Sequence, residues 1–256
     1  MSLIRESPWK LDVLLAGSWR GATSVLLSNG RHHLVVDTGM PHEAALMVKA
    51  IKERGVHPED IQGVINTHFH VDHVMNNSLF PKSLIYAPQE SYDWCRALYS
   101  DLLDEQNWEK LVLKYYPETF EYERARTHMQ KLRKLALRWW NVERLGAPSQ
   151  FRWLENHPLP EGLESLVTSG HVPGHLSVIV ENADQPTLIA GDALLSRGHD
   201  DEVVTMIPVN RKQFQLDRES ILSRTGRILP GHDREFGLTG RQVTDRRTVN
   251  IEPSGS

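Results

Sequence analysis

A chain of 256 residues is long enough for one large α/β domain with its own hydrophobic core. With 39 % hydrophobic residues, 24 % charged residues and a net charge of -4 at pH 7, its composition gives no general case for binding nucleic acid or a membrane. The single cysteine, Cys95, excludes a disulfide within the chain. Because no apolar run approaches the ~18 residues of a spanning helix, and the N-terminus has no apolar signal segment, we expect a cytoplasmic protein.

Residues 1–65 predict strands and one helix. The predicted strands are rich in Val, Leu and Ile, and they span residues 11–15, 23–27, 33–36 and 61–65. Pro41 begins a helical pattern that ends near Gly55. Asp37 follows the third strand and comes shortly before Gly39, an arrangement that is typical of loops carrying a functional site in α/β folds.

A dense group of metal-binding side chains follows the fourth predicted strand, in residues 67–73, which we call the histidine loop. His68, His70, Asp72 and His73 lie there within six residues. Neutral imidazole and carboxylate suit a borderline cation such as Zn²⁺. The alternating His68/His70 spacing points two rings to one side of an extended segment, and Asp72 and His73 follow where the chain can turn. The loop therefore predicts ligands for two metal ions.

A further short strand is predicted at residues 84–86. The segment from about residue 89 to 150 then differs from the rest of the chain. It is rich in aromatic side chains and predicts two or three helices, at roughly 89–104, 106–115 and 119–144. Its first part is acidic and its later part basic, which we interpret as a packed pair of helices and not as a nucleic-acid surface. Two roles stay open: a lid whose aromatics wall an apolar pocket, or an arm through which two chains form a homodimer.

The second half of the chain presents further candidate ligands, each after a predicted strand. These strands span residues 163–167, 177–180, 187–190 and 228–229. His171 follows the first of them, Asp192 the third and His232 the fourth. Polar sequence predicts a frayed tail at 241–256, after a single domain at 1–240 that contains the helical segment.

The pattern His-x-His-x-Asp-His in the histidine loop resembles the signature of the metallo-β-lactamase-fold hydrolases. The other motifs of that family have matches in the same order along this chain, at Asp37, His171, Asp192 and His232. The resemblance covers most of the chain outside residues 89–150. It implies an α/β fold, an αββα sandwich, with the helical segment inserted between the second and third metal motifs.

The resemblance also implies roles for individual residues. The expected ligands form two sets joined by a bridging Asp192: His68, His70 and His171 for one cation, and Asp72, His73 and His232 for the other. Asp37 is expected to brace the histidine loop without binding metal, and His175 to hydrogen-bond behind the ligands. Two zinc ions are the expected cofactors, with iron or manganese as alternative metals.

The family hosts several reactions, among which the residues favour hydrolysis of an ester, thioester or lactone. Metal-bound hydroxide is the implied nucleophile, with Asp72 as the catalytic residue that passes a proton to the leaving group. The sole cysteine lies far in sequence from Asp192, unlike the pattern of several β-lactamases. We expect a small-molecule substrate with an apolar acyl chain. The alternatives are a phosphodiesterase or nuclease, a mononuclear iron sulfur dioxygenase, and a non-enzymatic binding module stabilised by metal.

Overall fold

The structure of the chain is a computed structural model. It describes residues 8–18, 21–104, 106–117, 122–181, 185–197, 208–224, 226–239 and 242–243. In these residues, strands form two sheets of six strands each. None of the described helices combines the length and the apolar character that crossing a bilayer requires.

The first sheet follows the order of the chain. Its strands are β1 (Lys10–Leu15), β2 (Ser24–Ser28), β3 (His33–Val36), β4 (Gly63–Ile65), β5 (Leu84–Ala87) and β6 (Phe151–Trp153). β1, β2 and β3 pair antiparallel, whereas β3, β4, β5 and β6 are parallel. Parallel neighbours need crossover connections, which α1 (Ala44–Lys52) provides between β3 and β4.

The second sheet also follows chain order. Its strands are β7 (Leu163–Val167), β8 (Leu176–Val180), β9 (Thr187–Gly191), β10 (Gly226–Pro230), β11 (Phe236–Thr239) and β12 (Gln242–Val243). Among the described strand pairs of this second sheet, only β9–β10 is parallel. The crossover between these two strands carries the amphipathic helix α6 (Arg211–Leu222). β12 lies beyond the predicted domain limit at residue 240, and residues 244–256 of the predicted tail lie outside the described part of the chain.

The two sheets pack face to face, with helices on their outer faces. Val25 and Leu27 of β2 point into a core shared with Val178 and Val180 of β8, whereas Leu26 points into the core under the helices. Successive residues of a strand point to opposite faces, so a strand covered on both faces reads as a continuous apolar run. A third cluster packs α6 on the second sheet. The predicted αββα sandwich is confirmed.

The predicted helical segment is the crossover between β5 and β6. It contains α3 (Gln89–Asp104), α4 (Trp108–Tyr115) and α5 (Tyr122–Trp139). As predicted, α3 and α5 pack on each other, since both contribute apolar residues to one core that includes Leu98 and Met129. An ion pair of Asp101 with Lys114 joins α3 to α4. α5 ends before the predicted residue 144 because Asn141 caps a separate 3-10 turn.

Candidate metal centre

The predicted ligands follow strands that end at one edge of the sandwich. In the first sheet, Asp37 follows β3 and the histidine loop follows β4, its parallel neighbour. In the second sheet, Asp192 follows β9 directly and His232 comes two residues after β10, which is parallel to β9. Loops beyond the carboxyl ends of parallel strands meet at the same edge, which is where open sheets place ligand sites.

All seven predicted ligands fall into two groups, in each of which one atom per residue lies within 4.8 Å of the others. The first group consists of His68, His70, His171 and Asp192. The second group consists of Asp72, His73 and His232. The structure thus brings together side chains that are far apart in the sequence.

Nitrogen atoms converge in the first group. Nδ1 of His70 lies 3.0 Å from Nε2 of His68 and 3.1 Å from Nε2 of His171. Oδ2 of Asp192 lies 3.3 Å from Nε2 of His171 and 3.9 Å from Nε2 of His68. Tetrahedral ligands at the usual zinc–nitrogen distance of ~2.05 Å are themselves about 3.3 Å apart. The separations in this group are therefore close to those of a tetrahedral zinc shell.

Asp192 joins the two groups through its two carboxylate oxygens. While Oδ2 faces the first group, Oδ1 lies 3.2 Å from Nε2 of His73 and 3.2 Å from Nε2 of His232. Nε2 of His232 is also 3.5 Å from Oδ2 of Asp72. A carboxylate with one oxygen directed at each group has the arrangement of a bridging ligand.

Several atoms of the centre are buried without a hydrogen-bond partner among the described residues. They include Nε2 of His73, Nε2 of His232 and both carboxylate oxygens of Asp192. Leaving such groups unsatisfied costs several kcal/mol, and buried polar groups are therefore almost always paired or bound to metal. Imidazole and carboxylate donors suit zinc, iron and manganese. The residues present therefore fit divalent cations.

Hydrogen bonds behind the ligands direct their free nitrogens into the centre. Nδ1–H of His73 donates to Oδ2 of Asp37 at 2.7 Å, and Nδ1–H of His232 donates to the carbonyl oxygen of Ser18 at 2.8 Å. Nδ1–H of His68 donates to Oγ1 of Thr67 at 3.1 Å. Each bond assigns the tautomer whose Nε2 lone pair is free to bind a cation.

Asp37 lies behind the histidine loop and belongs to neither group. Its Oδ1 accepts from the Thr67 backbone N–H at 2.9 Å, and its Oδ2 accepts from Oγ1 of Thr67 at 2.7 Å as well as from His73. Asp37 has a φ of 52°, a left-handed conformation that is uncommon for residues other than glycine. These hydrogen bonds hold the strained residue and the loop in one arrangement.

His175 has both ring nitrogens engaged outside the two groups. Its Nδ1–H donates to Oγ1 of Thr168 at 2.9 Å, and its Nε2 accepts from the Asp192 backbone N–H at 3.0 Å. Burial lowers the pKa of His175 to about 3, although Asp192 raises it. A neutral imidazole is the form that can accept this bond, and it holds the backbone of Asp192.

Burial and the carboxylates act in opposite directions on the pKa values of the histidine ligands. Burial lowers the pKa of His70 to about 4 and holds the pKa of His68 and of His171 well below the usual value. Burial also opposes charge on His232, but Asp192 outweighs it and raises the pKa of His232 to about 9.

His73 behaves like His232. Burial again favours the neutral form, but Asp192, Asp37 and Asp72 together hold the pKa of His73 well above its usual value. Burial likewise opposes charge on Asp192, yet His232 and His73 hold its pKa well below the usual range. Without cations, protons on the two imidazoles therefore balance the buried carboxylate, and cations binding there would displace them.

Several residues that support the centre carry no recognisable signal in the sequence. Oδ2 of Asp217, on α6, accepts from the backbone N–H of Gly170 at 2.8 Å, next to His171. A Cβ at Gly170 would lie 2.1 Å from the backbone nitrogen of Phe214, so only glycine fits there. Thr67 is an exception, because its position directly before His68 could have identified it as a residue that supports the centre.

The pattern that defines the Metallo-beta-lactamase superfamily matches residues 17–232, a span that contains both groups. The chain belongs to the metallo-β-lactamase superfamily. This superfamily member is 36 % identical over 249 residues to Metallo-beta-lactamase domain-containing protein 1 of Rattus norvegicus, covering 95 % of this chain and 79 % of that protein. It is 26 % identical over 258 residues to the protein of the same name from Xenopus laevis, covering 97 % and 91 %.

Solved structures share the superfamily fold with this chain. One is AidC, a dizinc quorum-quenching lactonase in complex with a product, with a TM-score of 0.61, 16 % identity and coverage of 96 % of this chain and 94 % of that one. Another is a mutant of AiiA from B. thuringiensis with N-decanoyl-L-homoserine bound at the active site, with a TM-score of 0.58, 19 % identity and coverage of 89 % and 94 %.

Proposed function

We propose that this superfamily member is a hydrolase with two metal ions that cleaves an ester, thioester or lactone bond in a small substrate. The observation that carries the proposal is Asp192, whose two oxygens face different histidine groups. A mononuclear iron dioxygenase does not need the second group, so the presence of that group favours the binuclear hydrolase over this alternative. The lactonase neighbours support an acyl substrate with an apolar chain.

The ligands of the two groups would hold the cations, which we propose to be zinc, with Asp192 between them. When bound, two divalent cations supply a water of lowered pKa and positive charge that stabilises a developing oxyanion. His73 and His232 offer them Nε2 only while Asp37 and Ser18 hold the Nδ1 protons. The chain's own contribution is thus to keep these imidazoles in one tautomer and orientation.

Asp72 is the carboxylate that we propose transfers the proton to the leaving group. Its side chain is 22 % exposed, whereas that of Asp192 is 1 % exposed. Of the two carboxylates in the centre, Asp72 is therefore the one that a substrate entering from solvent can reach. A carboxylate in hydrogen-bond reach of the departing oxygen or sulfur is suited to general acid–base work.

The test combines metal content with a substrate panel. We expect the purified chain to carry two ions and to hydrolyse N-acyl homoserine lactones, acyl thioesters or p-nitrophenyl esters. Stripping the metal with a chelator should abolish turnover, and zinc should restore it. Turnover of bis(p-nitrophenyl) phosphate with no acyl activity would refute the acyl assignment.

A variant pair tests the bridging role of Asp192. Asp192→Asn keeps the shape but should lower the metal content to one ion or fewer, and kcat/KM by more than about 100-fold, the upper end for residues that only orient a ligand. Asp93→Asn makes the same chemical change on the exposed face of α3 and should leave both unchanged. Two retained ions in Asp192→Asn would contradict the bridge.

A further inference from the structure

Helix α3 of the insertion contacts the backbone of the histidine loop through buried side chains. Ser91, Cys95 and Tyr99 stand four residues apart, which places them on one face of the helix, and all three are fully buried. Oγ of Ser91 accepts a hydrogen bond from the Phe69 backbone N–H at 3.2 Å. Oη of Tyr99 accepts one from the Val71 backbone N–H at 3.3 Å. The face of α3 thus holds the loop at two points.

Each of these N–H groups belongs to a residue between metal ligands. Phe69 separates His68 from His70, which are both in the first group. Val71 begins the short helix α2 (Val71–Val74), which carries Asp72 and His73 of the second group. The first N–H groups of a helix have no partner within the helix, and His70, the N-cap of α2, makes no side-chain cap bond. Tyr99 supplies this missing acceptor from another helix.

The first turn of α3 also meets the loop that carries His171. A Cβ added at Gly174 would lie 2.7 Å from the Ser91 backbone nitrogen and 2.9 Å from Cβ of Glu90. The glycine therefore permits close contact between this loop and α3. Helix α3 thus contacts both loops that supply the first group: the histidine loop, and the loop that carries His171.

We propose that α3 positions the ligands of the metal centre, and that Tyr99 sets the second group through Val71 while Ser91 sets the first through Phe69. The inference rests on the proposed binuclear centre. Tyr99 is buried and its ring lies 4.2 Å from that of Trp140, so its place is beneath the loop and not over an open cleft. The insertion thereby gains a role beyond the lid and the dimer arm.

Tyr99→Phe tests the role of the hydroxyl, because the ring and its packing on Trp140 remain. Tyr116→Phe is the matched control: Tyr116 is also fully buried in the insertion, but its hydroxyl pairs with Nε2 of His128 at 3.2 Å. We expect Tyr99→Phe to weaken the affinity for one of the two zinc ions by roughly 10-fold, the low end for residues that orient a ligand. Tyr116→Phe should change neither affinity.

Zinc affinities would be measured by competition with a chromophoric chelator, and the two groups distinguished by the visible absorption of the cobalt-substituted chain. Ser91→Ala should weaken the other ion, with a cobalt spectrum altered differently from that of Tyr99→Phe. Thermal unfolding of the metal-free chain would record the structural cost of each change. Similar melting shifts in both tyrosine variants, with affinity lost only in Tyr99→Phe, are the expected result.

A double-mutant cycle with Val71→Pro shows whether Tyr99 acts through this N–H. Proline lacks the donor and is tolerated at the first helical position, and His70 before it has the extended conformation that proline requires, with φ -68° and ψ 152°. In the Val71→Pro background, Tyr99→Phe should cause no further loss of metal affinity.

The outcomes separate this inference from the proposed function. Two ions in the wild-type chain, with equal affinities in Tyr99→Phe and Tyr116→Phe, would overturn the positioning role and leave the hydrolase proposal standing. Additive losses in the cycle would refute the path through Val71. A wild-type chain that binds no more than one ion would refute the binuclear centre, and the positioning role would fall with it.

Discussion

Asp37→Asn is the substitution that most directly tests how the centre selects a tautomer. Oδ2 of Asp37 accepts from two donors, Oγ1 of Thr67 and Nδ1 of His73, while Oδ1 accepts from the Thr67 backbone. An asparagine has one acceptor oxygen and one NH₂ group, so either orientation places a donor against a donor. The cheapest escape is for His73 to move its proton to Nε2, which removes the lone pair that a cation needs.

The size of the effect follows from the bond that is lost. A hydrogen bond to a charged group contributes about 1.5–3 kcal/mol, and a loss of about 2 kcal/mol corresponds to roughly 30-fold in affinity for the cation of the second group. The backbone should not be disturbed, because asparagine tolerates the left-handed φ of 52° at this position. The change therefore reports on the proton and not on the fold.

The assay is a zinc competition titration combined with ¹⁵N NMR of the histidine side chains. We expect one ion to keep its affinity and the other to bind more weakly. In the metal-free chain, the His73 ring should change from doubly protonated to neutral at a lower pH, because Asp37 no longer supports its charge, and the neutral ring should carry its proton on Nε2. Asp93→Asn, on the surface of α3, serves as the control with an identical change of charge. Unchanged affinity for both ions together with a lowered melting temperature would show that Asp37 only stabilises the loop.

Three further predictions address the surroundings of the centre. Gly170→Ala should destabilise the chain by more than about 2 kcal/mol in urea unfolding, since its Cβ would lie 2.1 Å from the Phe214 backbone nitrogen; a smaller cost would mean that α6 can move aside. Burial raises the pKa of Cys95 far above the usual thiol value. The native chain should therefore react with a thiol reagent only after denaturation. Rapid labelling of the native chain would mean that α3 detaches from the histidine loop. If the insertion is a dimer arm, its exposed Leu113 (63 %) and Leu137 (65 %) are the side chains that the dimer would bury. Replacing both leucines by Glu should then halve the mass measured by light scattering. A monomeric wild-type chain would exclude the dimer arm.

The strands and the two groups of candidate metal-binding side chains could be predicted because their signals are local. The buried strands are continuous apolar runs, and Asp192 comes directly after one of them. Three strands were not predicted, and the reasons are physical. β6 (Phe151–Trp153) has only three residues, and its place depends on pairing with β5. β11 and β12 are short, and the ladder that begins at β10 defines them.

Apart from Asp37 and His175, the supports of the centre could not be predicted, because they are ordinary residues brought in from far along the chain. The Ser18 carbonyl that orients His232 is 214 residues away from it in sequence, and a backbone carbonyl leaves no trace in composition. Tyr99 is 28 residues from Val71 and reads as one more aromatic in an aromatic-rich helix. The sequence therefore identified the side chains that converge in the two groups better than it identified what holds them in place.

The contrast between Asp37 and Asp192 shows how one local device serves two purposes. Asp37, the first residue after β3, itself adopts the left-handed conformation, with φ 52°. At the end of β9 the last strand residue, Gly191, adopts it, with φ 53°, and Asp192 comes one residue later. The same turn thus leaves the carboxylate on opposite sides of the loop layer: Asp37 behind the histidines, holding a proton on His73, and Asp192 between the two groups. A one-residue offset therefore separates a carboxylate that supports the histidine loop from one that faces both groups of candidate ligands.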